Sequence, residues 1–177
     1  GSGASASGRG ARSAADRAIE LNPMDGFTMA YLGSLFAYSG DWERGCAMQK
    51  QARDLNPRHP SWYWFSDCFD AYRRRDYRAA LDIARKIQMP GFWRLNLALA
   101  AAHGQLGERD AAAGALRELL AAKPEFASRA REELLKWWNA DLVEHLVDGL
   151  RKAGLDVRVE AVEAASTPAP GTASAGE

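Results

Sequence analysis

The tripeptide Leu21-Asn22-Pro23 returns 34 residues later as Leu55-Asn56-Pro57, and Lys123-Pro124 closes a third interval, 67 residues after Pro57. A fixed period near 34 residues is typical of a helix-turn-helix unit that is stacked several times along a solenoid. One such unit cannot bury its apolar face alone, so neighbouring units must pack on each other. The repeated tripeptide therefore predicts an all-α chain in the form of a right-handed α-solenoid of antiparallel helix pairs.

Helical periodicity runs through the whole middle of the sequence. Proline closes several of the periodic segments, because the residue before a proline is driven out of the α region. Gly40 and Gly107 supply left-handed stops, and Asp41 and Asp76 have the character of N-cap residues. These signals predict about nine helices, over 12–21, 27–39, 42–55, 61–74, 77–88, 92–105, 108–122, 125–138 and 141–153.

The composition divides the chain into four stretches. Residues 1–11 are mostly glycine, serine and alanine, and residues 156–177 are rich in alanine, proline and threonine. Neither stretch has enough apolar side chains to offset the entropy of ordering, so we expect both to be disordered. Residues 12–124 carry the repeats, a partial first unit and three full ones, and the missing first helix suggests an N-terminal truncation. Residues 125–155 then form a capping helix pair.

Charge and cysteine content exclude several classes of protein. The 23 basic and 23 acidic residues cancel, so the sequence offers no clustered positive field for nucleic acid. No stretch approaches 18 consecutive apolar residues, which argues against a membrane span. The two cysteines, Cys46 and Cys68, form no disulfide framework, and the first residues lack the apolar core of a signal peptide. We therefore expect a cytoplasmic protein without nucleic-acid or membrane partners.

The repeat becomes explicit when the segments are aligned on their turns. Each unit places bulky, small and aromatic residues on its first helix, and alanines with a closing proline on its second. Small residues are needed where two helices approach closely. The three pairs expected to face each other are Gly33 with Gly45, Cys68 with Ala80, and Ala100 with Ala112. The slots are filled by Met29, Leu32, Gly33, Phe36, Gly45, Ala52 and Pro57, then by Trp64, Cys68, Ala80, Ala84 and Ile87, and then by Leu99, Ala100, His103, Ala112, Leu116, Leu119 and Pro124.

This pattern resembles the tetratricopeptide repeat over residues 12–124. The resemblance is imperfect, since Asp67 and Asn96 occupy slots where the family has leucine and tryptophan. It implies that the first helix of each unit lines a concave groove, whereas the other apolar face of that helix packs on its partner helix. It also implies a scaffold that binds other proteins.

A narrower likeness covers residues 40–45, 59–63, 69–73, 89–93 and 143–155. These stretches are similar to the repeat-bearing C-terminal half of bacterial class III adenylate or guanylate cyclase-like proteins and related signalling regulators. That resemblance implies a catalytic or DNA-binding domain upstream of the present sequence. The alternative function is thus the regulatory or dimerisation half of a larger cyclase-like or transcription-regulator protein.

The sequence carries no recognisable catalytic constellation. His59 lies in a loop, His103 fills a packing slot, and His145 can form a surface ion pair with Asp141, which precedes it by one helical turn. None of the three histidines has the spacing of a metal site. A phosphate-binding loop and a nucleophile elbow are both missing. We therefore predict a non-catalytic chain that uses neither a cofactor nor a metal.

The functional prediction is a groove that binds a protein or peptide partner. Aromatic residues form one stripe on the helix predicted over 61–74, and two alternatives remain open: this stripe lines the groove, or it packs against the neighbouring unit. The slots where chaperone-binding repeats carry lysine and asparagine hold apolar or small residues here, which excludes their clamp for terminal carboxylates. An apolar peptide or amphipathic helix fits better. The predicted groove residues are Phe27, Ser34, Tyr38, Trp62, Phe65, Phe69, Tyr72, Arg94, Leu97 and Gln105.

The helix predicted over 141–153 is amphipathic. We expect it to cap the last repeat, because the end of a solenoid would otherwise expose apolar surface. The alternative is a contact between two copies of the chain, which would make a homodimer. The residues expected to face inward are Leu142, Leu146, Val147 and Leu150.

Overall fold

A computed structural model describes residues 25–156, and this part of the chain is built from helices. Helix accounts for 74% of it and it contains no strand, which confirms the all-α prediction. The helix predicted over 12–21, the stretch 1–11 and residues 157–177 lie outside the described residues. Within the described range, the eight α-helices are α1 (Gly26–Tyr38), α2 (Trp42–Leu55), α3 (Phe65–Arg73), α4 (Tyr77–Ala84), α5 (Trp93–Gln105), α6 (Arg109–Ala122), α7 (Phe126–Leu135) and α8 (Ala140–Lys152), and a 3₁₀ helix spans Ser61–Trp64.

Short polar side chains mark where helices start. Asp76 accepts a hydrogen bond from the Ala79 amide at 3.0 Å, and Asn139 accepts one from the Leu142 amide at 3.0 Å. Each bond satisfies an amide that the first turn of a helix leaves unpaired. Asp41 holds the same position before α2, where its side chain makes no capping bond. The predicted cap at Asp76 is therefore confirmed, and Asp41 marks a helix start without this bond.

Four helices end in the same left-handed turn. The turn residue is Gly40 after α1, Gly107 after α5 and Gly154 after α8, with φ of 107°, 72° and 107°. After α3 the equivalent residue is Arg75, with φ of 65°. Glycine adopts such angles at little cost, whereas a side chain disfavours them. One turn geometry thus recurs after α1, α3 and α5, in step with the period found in the sequence.

The two helices predicted over 61–74 and 77–88 are both shorter in the structure. The segment 61–74 begins as the 3₁₀ helix Ser61–Trp64, and α3 starts only at Phe65. The helix predicted over 77–88 ends at Ala84, and the Gln88 amide donates to the Ser61 hydroxyl at 3.1 Å. That bond ties the connection after α4 to the 3₁₀ helix. Local periodicity cannot reveal it, because the two residues are far apart in the sequence.

Helices that follow each other along the chain pack in pairs: α1 with α2, α3 with α4, and α5 with α6. The first helices of these pairs also touch in succession, α1 with α3 and α3 with α5. In the first pair, a Cβ at Gly45 would lie 2.4 Å from the carbonyl oxygen of Gly33. In the second pair, Cys68 Sγ donates to the Ala80 carbonyl oxygen at 3.4 Å. These two predicted pairs of facing small residues are confirmed.

The last helix departs from this arrangement. α8 packs on α5 more extensively than on α7, its neighbour in the sequence. α7 ends at Leu135, earlier than predicted, which leaves Trp137 and Trp138 in the connection to α8. The four residues of α8 expected to face inward are all buried, namely Leu142, Leu146, Val147 and Leu150.

Candidate functional site

The ten residues predicted to line the groove fall into two sets. Phe65, Phe69, Tyr72 and Leu97 are buried, with exposed fractions of 3%, 0%, 1% and 0%. The aromatic stripe consists of Trp62, Phe65, Phe69 and Tyr72, and three of these four residues therefore match the packing alternative. The remaining six predicted residues keep accessible surface, and they are Phe27, Ser34, Tyr38, Trp62, Arg94 and Gln105.

Two leucines of α5 differ from their predicted positions. Leu97 was expected in the groove and is fully buried. Leu99 was expected between paired helices and is only partly buried, at the margin of the core. Apolar residues two positions apart lie on different sides of a helix, and nothing in their local sequence tells which side a later segment of the chain will cover.

The C-terminal segment covers the buried set. The ring centroid of Trp138 lies 4.5 Å from that of Phe69 and 5.4 Å from that of Tyr38. Further along, the Tyr72 hydroxyl donates to the His145 carbonyl oxygen at 2.8 Å. The connection before α8 and α8 itself thus occupy the part of the predicted groove at the C-terminal ends of α3 and α5. This part is not accessible to a partner.

The contact between α5 and α8 is close. A Cβ at Gly104 would lie 2.1 Å from the carbonyl oxygen of Gly149, so the two backbones touch. Gln105 Nε2 donates to Asp148 Oδ2 at 3.0 Å, and Lys152 Nζ donates to Gln105 Oε1 at 2.9 Å. α8 is therefore held on α5 by backbone contact as well as by polar side chains.

The His145 ring packs against α3 and α4, whereas the sequence predicted that it pairs with Asp141 at the surface. Its Nε2 lies 2.8 Å from the Tyr77 hydroxyl oxygen, and its ring centroid lies 4.5 Å from that of Tyr72. Burial, with the positive charge of Arg75 as a second cause, lowers the pKa of His145. The imidazole is therefore neutral near pH 7, which suits packing between two tyrosine rings.

A second part of the predicted groove stays open, and we call it the open groove. It has a volume of about 670 Å³. Phe27, Tyr31 and Leu35 are 61%, 53% and 51% exposed, and their spacing of four places them on one face of α1. Trp137, 42% exposed, comes from the connection before α8. The lining residues are Phe27, Tyr31, Ser34, Leu35, Tyr38, Ser39, Trp62, Arg94, Lys136 and Trp137.

Three large side chains of the open groove were missed by the sequence analysis: Tyr31, Leu35 and Trp137. A signal existed for the first two, because residues four apart share a helix face and Phe27 is among the predicted groove residues. No local signal existed for Trp137. It joins the groove only because the connection between α7 and α8 folds back toward α1.

Arg94 brings a positive charge into the open groove. Its guanidinium carbon lies 4.1 Å from the ring centroid of Trp137 and 5.9 Å from that of Tyr38. Its Nε is buried without a hydrogen-bond partner, and no carboxylate within residues 25–156 forms an ion pair with it. Burial raises the pKa of Tyr38 to about 12, and the charge of Arg94 opposes this rise. Apolar walls thus surround a cation that lacks a counter-ion in the described part of the chain.

Cys46, Cys68 and His103 lie outside the lining of the open groove. Burial raises the thiol pKa of both Cys46 and Cys68 to about 12, so neither is a thiolate near neutral pH. His103 Nδ1 lies 2.6 Å from a carboxylate oxygen of Glu108. Between residues 25 and 156, no three metal-ligating side chains come together. None of the helices in that range combines the length and the apolar character needed to cross a membrane.

Comparison with known proteins leaves the geometry as the basis for a functional conclusion. No protein-family model matches the sequence. A search of curated proteins found no match either. The function proposed for the open groove therefore rests on its residues, contacts and charges.

Proposed function

We propose that this protein is a non-catalytic interaction module that binds an apolar peptide or an amphipathic helix of a partner protein in the open groove. The observation that carries this proposal is a cluster of large apolar side chains that share one groove and keep accessible surface. Contiguous apolar surface on a folded domain commonly marks an interaction site, and aromatic residues are the usual anchors of such sites. The cluster consists of Phe27, Tyr31, Leu35, Trp62 and Trp137.

The form of the cluster favours a helical ligand. Phe27, Tyr31 and Leu35 follow each other at spacings of four along α1 and make a straight apolar ridge. Trp62 stands beside the start of this ridge, with its ring centroid 5.8 Å from that of Phe27. An amphipathic helix that binds in a groove contacts such a ridge through apolar residues that recur at the same spacing.

The architecture that we propose around this groove is a tetratricopeptide-like solenoid, right-handed and built from antiparallel helix pairs. The recurring left-handed turns and the pairing of consecutive helices support it. In that architecture α1, α3 and α5 line the concave surface, α8 occupies one part of this surface, and the open groove is the other part. The likeness to the C-terminal half of cyclase-like signalling proteins fits such a module, which would act there as a regulatory part.

A selection of displayed random peptides on the immobilised protein tests the proposal. The peptides should be long enough for several helical turns and fused through their C-terminus. We expect binders whose affinity falls by at least about 1 kcal/mol when Tyr31→Ala or Trp62→Ala is introduced into the protein, because central aromatic anchors carry much of an interface's energy.

A matched pair of leucines controls for general stickiness. Leu35, in the open groove, is 51% exposed, and Leu135, outside its lining, is 53% exposed. Leu35→Asp should abolish binding of the selected peptides, and Leu135→Asp should leave it nearly unchanged. The proposal fails if the selection yields no binder, or if both substitutions weaken the binders equally.

A further inference from the structure

The groove-facing side of α5 carries a polar side chain near each end. Only one of these two side chains contacts a carboxylate within residues 25–156. Arg94 and Gln105 are eleven residues apart, about three helical turns, so they lie on the same face. At the end of α5 that α8 covers, which we call the filled end, Gln105 Nε2 donates to Asp148 Oδ2 of α8 at 3.0 Å. At the open end, Arg94 has no carboxylate partner among residues 25–156.

The other polar groups at the open groove are largely committed within the protein. Ser34 Oγ accepts from Gln49 Nε2 at 2.6 Å, and Ser39 Oγ donates to a backbone carbonyl oxygen at 2.9 Å. The second cation of the lining, Lys136, pairs with Glu133 at 2.5 Å. No acidic residue lines the groove. Of the two lining cations, Arg94 is thus the one without an ion pair in the described part of the chain.

The lack of a counter-ion at Arg94 costs free energy, because this cation lies among aromatic rings. A guanidinium that is partly removed from water loses solvation, and only an anion with good geometry compensates for the loss. The centroid of the Trp137 ring lies 4.1 Å from the guanidinium carbon, a cation–π contact that supplies no carboxylate oxygen to accept from the N–H groups. Two such donors match the two oxygens of a carboxylate.

We propose that the open groove selects an amphipathic helix that carries an Asp or Glu side chain, which pairs with Arg94, beside the apolar side chains that meet α1. This inference rests on the proposed function and names the chemistry of its partner. A helix with this chemistry already lies at the filled end of the same surface. α8 combines an apolar face, which includes Leu146 and Leu150, with the carboxylate of Asp148. The selected carboxylate belongs to a side chain within the helix and is distinct from a chain terminus.

The peptides selected on the immobilised protein supply the test, since their fusion removes any free terminal carboxylate. We expect one position to be enriched in Asp or Glu. Changing that residue to Asn or Gln should weaken binding to the wild-type protein about tenfold, because charge-assisted hydrogen bonds are the stronger ones. Raising the ionic strength should narrow this difference, because salt screens the pair.

Variants of the protein locate the effect at Arg94. The Arg94→Gln variant should bind the acidic peptides about tenfold more weakly than the wild type does, and it should bind their amide versions as tightly as the wild type. In a double-mutant cycle, this combination indicates a direct interaction between the two side chains. Arg85→Gln is the matched control, and it should change the affinity less than about twofold, because Arg85 lies outside the lining of the groove and is already paired with Asp82. Arg94→Lys keeps the charge and should retain part of the preference.

The outcomes separate this inference from the proposed function. Binders that are lost with Leu35→Asp but show no preference for acidic residues would overturn the inference and leave the groove as a binding site. The inference is likewise overturned if amide versions of the peptides bind the wild-type protein as tightly as the acidic ones, a comparison that needs no folded variant. Absence of any groove-dependent binder would overturn both.

Discussion

At the scale of single residues, Arg75 shows how a turn between two helices tolerates an unfavourable backbone conformation. Its φ of 65° is the left-handed conformation that Gly40 and Gly107 adopt at the equivalent turns. A β-carbon makes this conformation unfavourable by roughly 1–2 kcal/mol. The turn still closes, because the Asp76 amide donates to the Ala71 carbonyl oxygen at 2.9 Å. The surrounding helix pair therefore imposes on an arginine the geometry that suits glycine.

Replacing this arginine should stabilise the protein. We expect Arg75→Gly to raise the free energy of unfolding by about 0.5–1 kcal/mol, because relief of the left-handed strain outweighs the extra freedom of glycine in the unfolded chain. Urea unfolding with an unchanged denaturant slope measures the effect. Arg74→Gly is the control, since Arg74 has φ of −78° and an ion pair with Asp70 at 3.0 Å. A gain of stability from both substitutions would refute the strain at Arg75.

At the scale of elements, the contact of α5 with α8 depends on glycine in both helices. A Cβ at Gly149 would lie 2.7 Å from the Ala101 carbonyl oxygen and 2.5 Å from the Tyr72 hydroxyl oxygen. On the opposite side of the contact, a Cβ at Gly104 would lie 2.1 Å from the Gly149 carbonyl oxygen. The position of α8 is therefore defined by where two backbones can touch, and the apolar side chains around the contact fill the remaining space.

Two glycine substitutions should have opposite effects. Gly149→Ala should lower the free energy of unfolding by about 1–3 kcal/mol, because the added methyl group pushes α8 away from α5. Gly114→Ala, on α6, should raise it by about 0.5–1 kcal/mol, since the nearest atom to its Cβ is in the Arg117 guanidinium at 3.8 Å and alanine is the better helix former. Thermal unfolding of the two variants tests the contact. Stabilisation by Gly149→Ala would contradict it.

At the scale of the whole molecule, one dipeptide serves both the core and the open groove. Trp138 is 3% exposed and packs against Phe69, whereas Trp137 is 42% exposed and stacks on Arg94. The C-terminal segment thus closes the core with one ring and builds a wall of the groove with the next. In the proposed function, stability and binding are thus carried by neighbouring side chains that point to different sides of the chain.

Substitution of the two tryptophans should separate these contributions. Trp138→Ala should cost about 3–5 kcal/mol of stability as the loss of a large buried ring. Trp137→Ala should change the stability by less than about 1 kcal/mol, in the range of surface substitutions, and weaken the selected peptides by at least about 1 kcal/mol. Chemical denaturation and binding measurements on both variants provide the comparison. Equal losses of stability would show that Trp137 also belongs to the core.

Local signals in the sequence predicted most helices because those signals act over a few residues. α2 has the predicted bounds, and the facing glycines Gly33 and Gly45 were recognised from their place in the repeat. The prediction was wrong where a distant group intervenes. The helix predicted over 77–88 stops early, and the bond from the Gln88 amide to Ser61 links two segments that only the fold brings together.

Within residues 25–156, the sequence by itself determined where most of the helices lie and that the segment 141–153 has an apolar side. Only the tertiary structure decided where that side packs, and hence that Phe69 and Tyr72 are buried while Phe27 and Trp62 stay accessible. The physical reason is that the hydrophobic effect has no direction: an apolar face gains nearly as much on any apolar surface of similar area. The choice among such surfaces rests on close fit, here between Gly104 and Gly149, which involves residues far apart in the sequence.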